Sequence, residues 1–547
     1  MKESKHPKGL PYLFFAEMWE RFGFYLMIGI FTLYLTNNIE SGGWGMERID
    51  AFDIYGTFIA LVFLSPFIGG LLADRILGYR LSIIIGGVMM GIGYCLLAIH
   101  ELTVFYIALF LIILGNGFFK PNISTLLGNL YNDKKYIGLK DAGYNIFYMG
   151  INIGALICNF FAASLRNNFG WGAAFIAAGV GMFIGVIVFV IGMKNYTHVD
   201  VLKPVKKEDA SLTRIFGSTI VPAVVVGIVG WFIPGTIFGS DSTDAFIFGS
   251  MPIVYFYFSL WKNASIEDKK PISAMLAIFG VVIVFWAVFK QNGTALTTWA
   301  EKYTDREVTA LIATPVKVLS FSNTINYTQQ LVVKTDHQFR KIKDANGEPI
   351  KEMGYSDYFK NVKAENLPEK GAQINIMNTE LFQSINPFWV VTLTPLIVLF
   401  FGFLKKRGKE PTTPVKIAWG LVISALSTFV MIAAVYISNN GAIKASPWWL
   451  IASYGVITVG ELLLSPMGLS LVSKLSPPRL TALMMGGWFL ATALGNKLSG
   501  VLATLWDNYE NKEYFFLLNF ILLSLAAIAI FMMLKWLNKI FKEHIIR

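Results

Sequence analysis

The chain has 547 residues, of which 55% are hydrophobic and 15% are charged, and its mean hydropathy is +0.56. This composition excludes an ordinary soluble protein and predicts an integral membrane protein. The formal charge of +11 could indicate a nucleic acid or an acidic partner, but the basic residues lie in short connections between apolar segments, where membrane topology accounts for them. Cys95 and Cys158 fall in apolar segments and the five histidines are scattered, so the sequence predicts no disulfide framework, no metal site and no cofactor.

Fourteen apolar segments are long enough to cross a bilayer as helices. In chain order they lie at 11–36, 53–73, 82–99, 103–128, 142–165, 172–193, 216–234, 245–262, 272–299, 387–404, 415–437, 448–472, 481–505 and 514–536. The even number places both termini on one side. Lysine and arginine concentrate in alternate connections, which predicts cytoplasmic termini, and the lysines before the first segment indicate an uncleaved helix. We therefore expect a multi-pass protein of the cell (inner) membrane.

The segments divide into groups of six, two and six. We expect an N-terminal bundle at 1–196, a linker with an accessory two-helix hairpin at 197–271, and a C-terminal bundle at 272–547. An extracytoplasmic insertion at 300–385 interrupts the second bundle, and its β-branched residues leave two alternatives, a small β-rich cap or an irregular insertion. Two six-helix halves around a site at the middle of the membrane are typical of secondary transporters.

The first apolar segment carries three charges on one helix face. Glu17, Glu20 and Arg21 are spaced i, i+3 and i+4. Each charge at the centre of a bilayer costs about 2.5–3.5 kcal/mol. This face is therefore expected to line a polar cavity as a working site, although an ion-pair cluster that only joins helices is the alternative.

Four other charges stand out within the apolar segments. Lys120, followed by Pro121, and Glu461 lie too deep to reach an interface easily, whereas Lys290 and Lys497 could extend toward a lipid headgroup. Cationic groups such as Arg21 and Lys120 suit a carboxylate, and Glu461 suits an ammonium, so the set predicts binding of a zwitterion. Carboxylates in a dry cavity are also suited to bind and release protons.

Three stretches resemble known transporter motifs. The glycine-rich run 69–80 resembles a loop signature of the major facilitator superfamily. Residues 17–25 resemble the E-x-x-E-R-F-x-Y-Y signature of the proton-dependent oligopeptide transporter (POT) family within it, and residues 141–154 contain an F-Y-x-x-I-N-x-G element similar to that of the same family.

Three shorter elements strengthen the resemblance to the POT family. They are Phe-Phe-Lys-Pro-Asn at 118–122, Gly-Glu-Leu-x-Leu-Ser-Pro at 460–466 and Gly-Gly-Trp-Phe-Leu at 486–490. The resemblance covers nearly the whole chain except 300–385, and the extra hairpin is similar to that of bacterial members. It implies an all-α membrane protein with the major facilitator fold, importing di- and tripeptides with protons by alternating access.

The resemblance also implies roles for individual residues. Glu17, Glu20 and Arg21 would couple protons, and Arg21 and Lys120 would receive the peptide carboxyl end. Glu461 would receive the amino end and meet Lys120 as a gating pair. The remaining residues expected to line the cavity and hold the peptide are Tyr25, Tyr55, Asn152, Lys290, Asn386 and Trp488.

Three positions depart from the family pattern. Lys290 stands where an acidic residue is usual, Ile28 where an arginine is common, and Phe24 where a tyrosine is common. The usual acidic residue and arginine often form an outer salt bridge that responds to protonation. We expect coupling to run through Glu17 and Glu20 instead, with Lys290 pairing a substrate carboxylate.

Other functions remain open at the level of sequence. The same fold could move another small organic anion or zwitterion, act as an uncoupled facilitator, or sense peptides and signal through 300–385. The basic Lys290 favours an anion, while Glu461 favours a cargo with an ammonium group. The sequence contains no nucleophile–base pair, metal cluster or phosphate loop, so an enzyme is not expected.

Overall fold

The computed structural model describes residues 6–133, 135–136, 139–201, 211–476 and 481–545, and its described part contains fourteen long helices. The first six are α1 (Leu10–Thr36), α2 (Arg48–Leu72), α3 (Tyr79–Leu96), α4 (Leu102–Leu130), α5 (Lys140–Phe169) and α6 (Trp171–Gly192). The next two are α7 (Thr213–Trp231) and α8 (Asp241–Lys262). The last six are α9 (Ile266–Phe289), α10 (Ile385–Lys406), α11 (Thr413–Ile437), α12 (Pro447–Leu475), α13 (Thr481–Thr504) and α14 (Lys512–Ile545).

Each of the fourteen predicted spans corresponds to one of these helices. Eleven helical segments of the described residues are long and apolar enough to cross a membrane by length and composition alone. The other three of the fourteen long helices are α1, α8 and α13. Gly78 and Gly170 directly precede α3 and α6 and have φ of 76° and 83°. Glycine adopts this left-handed conformation without strain because it has no Cβ. The chain can therefore reverse direction within very short connections.

The helices pack as two bundles that meet along α2 and α13 and along α5 and α10. In the first bundle α1 packs on α5 and α6, and α3 packs on α4 and α6; in the second, α11 packs on α12 and α14, and α9 packs on α13. Glycines permit the closest approach between bundles, since a Cβ on Gly56 would lie 2.8 Å from the Cα of Gly500. The residue boundaries predicted for the three parts, at 196 and 271, stay a prediction.

The hairpin α7–α8 touches both bundles rather than standing apart from them. Helix α8 contacts α2, α9 and α13. Ser240 is the N-cap of α8, where its hydroxyl accepts from the Thr243 N–H at 3.2 Å, and the same hydroxyl donates to Asp53 on α2 at 2.9 Å. The first residues of α8 therefore join the hairpin to the first bundle.

A buried ion pair lies where α2, α8 and α13 meet. The Nζ of Lys497 is 2.7 Å from Oδ1 of Asp53, and it also donates to Thr57 at 2.6 Å and to Ser242 at 2.9 Å. The Lys497 side chain is only 1% exposed. The alternative that Lys497 extends to a lipid headgroup is therefore wrong, because its charge is satisfied inside the protein.

Replacing Lys497 by methionine should destabilise the protein. The substitution leaves the Asp53 carboxylate, 17% exposed, with hydroxyl donors but without its cation, and breaking a fully buried pair from one side costs about 3–5 kcal/mol, which is the upper bound here. Thermal unfolding of the detergent-solubilised protein should begin several degrees lower. The matched control Asp53→Asn/Lys497→Met removes both charges and should recover much of the loss; a double variant as unstable as the single one would contradict the ion-pair account.

The insertion between α9 and α10 contains defined secondary structure. Helical backbone continues from α9 to Tyr303, followed by a short helix at Ala310–Val318. The strands β1 (Ser322–Asn326), β2 (Gln330–Val333), β3 (Lys351–Gly354) and β4 (Gln373–Met377) form two antiparallel pairs, β1 with β4 and β2 with β3. Ser322 lies opposite Met377 and Gln330 opposite Gly354. Of the two predicted alternatives, the small cap with β-strands is the one that forms.

This insertion binds the ends of helices from both bundles. Lys341 donates to the Gly45 carbonyl at 2.9 Å in the α1–α2 connection, and Asn167 of α5 donates to the Ser320 carbonyl at 2.8 Å. On the other side, Lys512 donates to Gln338 at 3.0 Å. We call this end of the helices the insertion face and the opposite end the termini face.

Lys444, in the connection between α11 and α12, is buried against the insertion. Its Nζ is 4.0 Å from the centre of the Tyr358 ring and donates to the Lys302 carbonyl at 3.2 Å. Burial, followed by repulsion from Arg306, lowers the pKa of Lys444 to about 7. The folded protein therefore binds fewer protons here than the unfolded chain between pH 7 and the ordinary lysine range, so the contact gains stability as the pH rises through 7.

Hydrogen exchange should reveal this dependence. The Lys444 N–H donates to Asn361 at 2.9 Å and the Ala445 N–H to Tyr303 at 2.8 Å. After correction for intrinsic rates, both amides should be more protected at pH 8.5 than at pH 6. In Lys444→Met the difference should vanish, and a pH dependence that persists in this variant would assign it to another group.

Candidate functional site

A cavity of about 2050 Å³ lies between the two bundles. Its walls run from the middle of the helices, at Lys120, Tyr148 and Trp488, to helix ends at the termini face, such as Asp74 and Lys405. The cavity is therefore open toward the termini face.

At the insertion face the bundles are in contact. Thr32 donates to the Gly293 carbonyl at 2.6 Å, and Asn159 donates to Ser384 at 3.1 Å. Two ion pairs cross the same interface, Arg48–Asp507 at 3.3 Å and Arg166–Glu380 at 2.8 Å. The central site is thus accessible from one side only, which is the arrangement that alternating access requires.

A larger side chain at Gly500 should open the insertion face. A Cβ there would lie 2.8 Å from the Phe52 carbonyl oxygen and 2.9 Å from the Gly56 Cα, both backbone atoms that cannot move aside alone. In a cysteine-free background, Ser384→Cys, which is buried in the closed state, should react faster with a water-soluble maleimide when Gly500→Leu is added.

Gly280→Leu on α9 is the matched control, because a Cβ at Gly280 meets nothing within 4 Å. It should leave the labelling rate of Ser384→Cys unchanged. Equal rates in the Gly500→Leu and Gly280→Leu backgrounds would contradict a role of the glycine contact in closure.

The three charges of α1 form a buried cluster. Arg21 donates through two nitrogens to Glu20, and its Nε lies 3.5 Å from Oε1 of Glu17. All three residues are nearly inaccessible, at 2%, 0% and 3% exposure for Glu17, Glu20 and Arg21. Oε2 of Glu17 accepts no hydrogen bond from the described residues. This oxygen can take up a proton without losing a hydrogen bond, and a proton would lower the cost of burying the carboxylate.

Two lysines lie close to one aromatic ring, that of Phe63. Nζ of Lys120 lies 4.2 Å and Nζ of Lys290 5.5 Å from the centre of the Phe63 ring. Within the described chain neither ammonium has a carboxylate at ion-pair distance, and the aromatic face compensates such a charge only in part. Both groups are therefore suited to bind an anion.

Glu461 is held by an amide of the same bundle. Nδ2 of Asn386 donates to Oε2 of Glu461 at 3.0 Å and to Oγ1 of Thr458 at 2.8 Å. The predicted gating pair Lys120–Glu461 is not formed here. Lys120 packs on the Phe63 ring, and Glu461 accepts a hydrogen bond from Asn386 instead. Lys120 lines the open cavity, whereas Glu461 lies outside its wall.

The residues expected to line the cavity fall into two groups. Lys120 and Trp488 line it, and the Trp488 ring lies so close to α12 that a Cβ on Gly468 would be 1.9 Å from Cη2. Tyr55 does not line the cavity. It is 2% exposed and packs on Gly293, because the closed insertion face covers it. Asn152 is also buried and donates to the Tyr148 carbonyl at 2.9 Å.

Tyr25, Lys290, Asn386 and Glu461 are likewise not part of the wall of the open cavity. Some of them contact each other or the α1 cluster instead. Arg21 lies 5.9 Å from the Tyr25 ring, and Asn386 donates to Glu461 at 3.0 Å. The site thus continues beyond the open cavity toward the closed face.

Comparison with known proteins agrees with this architecture. The sequence model of a family described as the POT family matches residues 80–323 and 363–518. The chain belongs to the POT family. The predicted membership is therefore confirmed, and the break in the match lies inside the insertion.

Individual relatives match the chain over almost its full length. The uncharacterized transporter YclF of Bacillus subtilis is 29% identical over 530 residues, covering 96% of this chain and 93% of the relative. A di-/tripeptide transporter of Lactococcus lactis is 28% identical over 519 residues, covering 93% and 91%. The crystal structure of a POT peptide transporter in complex with alafosfalin, 27% identical, covers 99% of this chain and 97% of its own with a TM-score of 0.75.

These matches confirm the predicted fold class, a multi-pass membrane protein with the major facilitator architecture, and they place the chain among transporters rather than enzymes.

Two residues of this POT site escaped the sequence analysis. Phe63 is one of many aromatic residues in apolar segments, and nothing local marks it as the ring that two lysines share. Lys416, in the first turn of α11, is at the start of the predicted segment 415–437 and was not singled out, yet it is 8% exposed, lines the cavity and pairs with Glu410 at 2.6 Å. Its position soon after an acidic residue of the preceding connection was the available signal.

Proposed function

We propose that this POT protein imports di- and tripeptides together with protons by alternating access across the cell's inner membrane. Family membership and the named activity of the Lactococcus lactis relative support peptides as cargo. The observation that carries the proposal is the buried cluster of Glu17, Glu20 and Arg21 beside a cavity that is open on one side only.

Complementary charges on opposite bundles suit a peptide with free ends. Arg21 and Lys120 belong to the first bundle and would hold the carboxyl end, whereas Glu461 belongs to the second and would hold the amino end. Asn386, already bonded to Glu461 at 3.0 Å, would keep this carboxylate oriented. A bound peptide would thus bridge the bundles and draw the cavity closed.

Protons are the coupling ion in this proposal, and no other cofactor is required. Protonation of Glu17 or Glu20 would weaken the hold on Arg21 and free the guanidinium for the peptide carboxylate. One proton moved down 100 mV contributes about 2.3 kcal/mol, and each pH unit contributes about 1.4 kcal/mol. One or two protons suffice to accumulate a small solute.

We further propose that the termini face is cytoplasmic. Basic residues concentrate in the connections at this face, for example Arg75, Lys194 and Lys405, as the positive-inside rule expects. The open cavity would then be the inward-facing state. Import requires the insertion-face contacts to break, so the ion pairs Arg48–Asp507 and Arg166–Glu380 would form the outer gate.

Uptake into liposomes tests the function. Labelled dialanine should accumulate when an inward proton gradient is imposed, and a protonophore should abolish the accumulation. In Glu20→Gln, which removes the carboxylate that binds Arg21, gradient-driven accumulation should disappear while exchange of peptide against peptide continues.

Glu365→Gln is the matched control, since this glutamate lies in the insertion with 73% of its side chain exposed. It should accumulate dialanine like the unmodified protein. Accumulation by Glu20→Gln at the unmodified level would overturn proton coupling through α1, and uptake that never exceeds equilibrium would indicate a facilitator.

A second cargo class has one specific observation in its favour. Lys120 and Lys290 have no carboxylate at ion-pair distance in the described chain, which suits a small organic anion. Uptake of such an anion without any uptake of dialanine would favour this alternative.

A further inference from the structure

Lys120 and Lys290 come from opposite bundles and meet at one ring. Their Nζ atoms lie 4.2 Å and 5.5 Å from the centre of the Phe63 ring, so the two nitrogens are at most 9.7 Å apart, the sum of those distances. Trp286 and Phe289 surround Lys290 further, with ring centres at 5.5 Å and 5.8 Å. We call Phe63, Lys120 and Lys290 the dilysine site.

The neighbouring carboxylates make their hydrogen bonds and ion pairs with groups other than these two lysines. Glu17 and Glu20 hold Arg21, and Glu461 accepts a hydrogen bond from Asn386. In the described part of the chain no acidic side chain lies within 4.0 Å of either lysine of the dilysine site. Each ammonium packs on an aromatic face and lacks a direct ion pair among the described residues, so the dilysine site attracts an anion.

The number of charged side chains in this region indicates which anion fits. This region contains three cations and three carboxylates, namely Arg21, Lys120, Lys290, Glu17, Glu20 and Glu461. Once one of the α1 carboxylates carries a proton, one cation is in excess. A neutral peptide brings one carboxylate and one ammonium and leaves that excess, whereas a peptide with a further carboxylate removes it.

We propose that the dilysine site binds a second substrate carboxylate, so that the preferred cargo is a short peptide ending in aspartate or glutamate. Such a residue carries its α-carboxylate and its side-chain carboxylate close together. Lys120 would take one and Lys290 the other, next to Phe63. Peptide import, as already proposed, is the premise, and the dilysine site narrows its substrate class.

The matched peptides Ala-Glu and Ala-Gln test the preference, because they differ only in the charge of one side chain. In liposomes with a proton gradient, KM for Ala-Glu should be about tenfold to a hundredfold lower than for Ala-Gln, the range for one charge-assisted hydrogen bond. Lys290→Met should abolish the difference, Lys290→Arg should retain it, and Lys290→Glu should reverse it.

Lys363→Met, at a half-exposed lysine of the insertion, is the control and should keep the preference. The comparison of two peptides in the unmodified protein needs no variant, so a variant that fails to fold does not obscure the result. Equal KM values with proton-driven uptake of both peptides would overturn the second carboxylate site and leave peptide import standing. Uptake of neither peptide, with no binding of dialanine, would overturn both.

Discussion

Charge buried among apolar helices is the constraint on which this structure depends. A side chain that is ionised in the membrane interior must find a partner or line a polar space. Arg21 finds two carboxylates on its own helix, and Lys497 finds Asp53 on another bundle. Among the described residues, Lys120 and Lys290 pack on aromatic faces and have no carboxylate at ion-pair distance. The Arg21 cluster balances charge within α1, the Lys497–Asp53 pair holds two bundles together, and the third arrangement leaves attraction for a ligand.

The same constraint explains why the two faces of the molecule differ. At the insertion face, glycine contacts and crossing ion pairs bring the bundles together, and the insertion binds helix ends from both. The hairpin adds its own hydroxyl groups at Asp53. At the termini face the bundles separate around a cavity with basic groups at its mouth, including Arg75, Lys405 and Lys416. Movement between the two states therefore has to exchange many polar contacts at one face for contacts at the other.

Much of the fold and part of the site followed from local sequence. A helix that crosses a bilayer must be about 20 residues long and apolar, so each span is visible within its own segment, and all fourteen were found. Glu17, Glu20 and Arg21 were recognised because i, i+3 and i+4 spacing places them on one face. The POT motifs added the fold that joins the spans, which hydropathy alone leaves open.

The sequence by itself therefore determined the number of spans, the charged face of α1, the family and the presence of unusual buried lysines. Only the tertiary structure decided which groups meet. Lys497 and Asp53 are 444 residues apart in the chain, and Phe63 is shared by lysines from different bundles. Tyr55 was expected in the cavity but is covered by the closed face, and the gating pair is not formed because Lys120 packs on Phe63 and Glu461 accepts from Asn386. Helix formation and membrane insertion depend on neighbours in sequence, whereas ion pairs and gates depend on how distant helices pack and on which face of the transporter is closed.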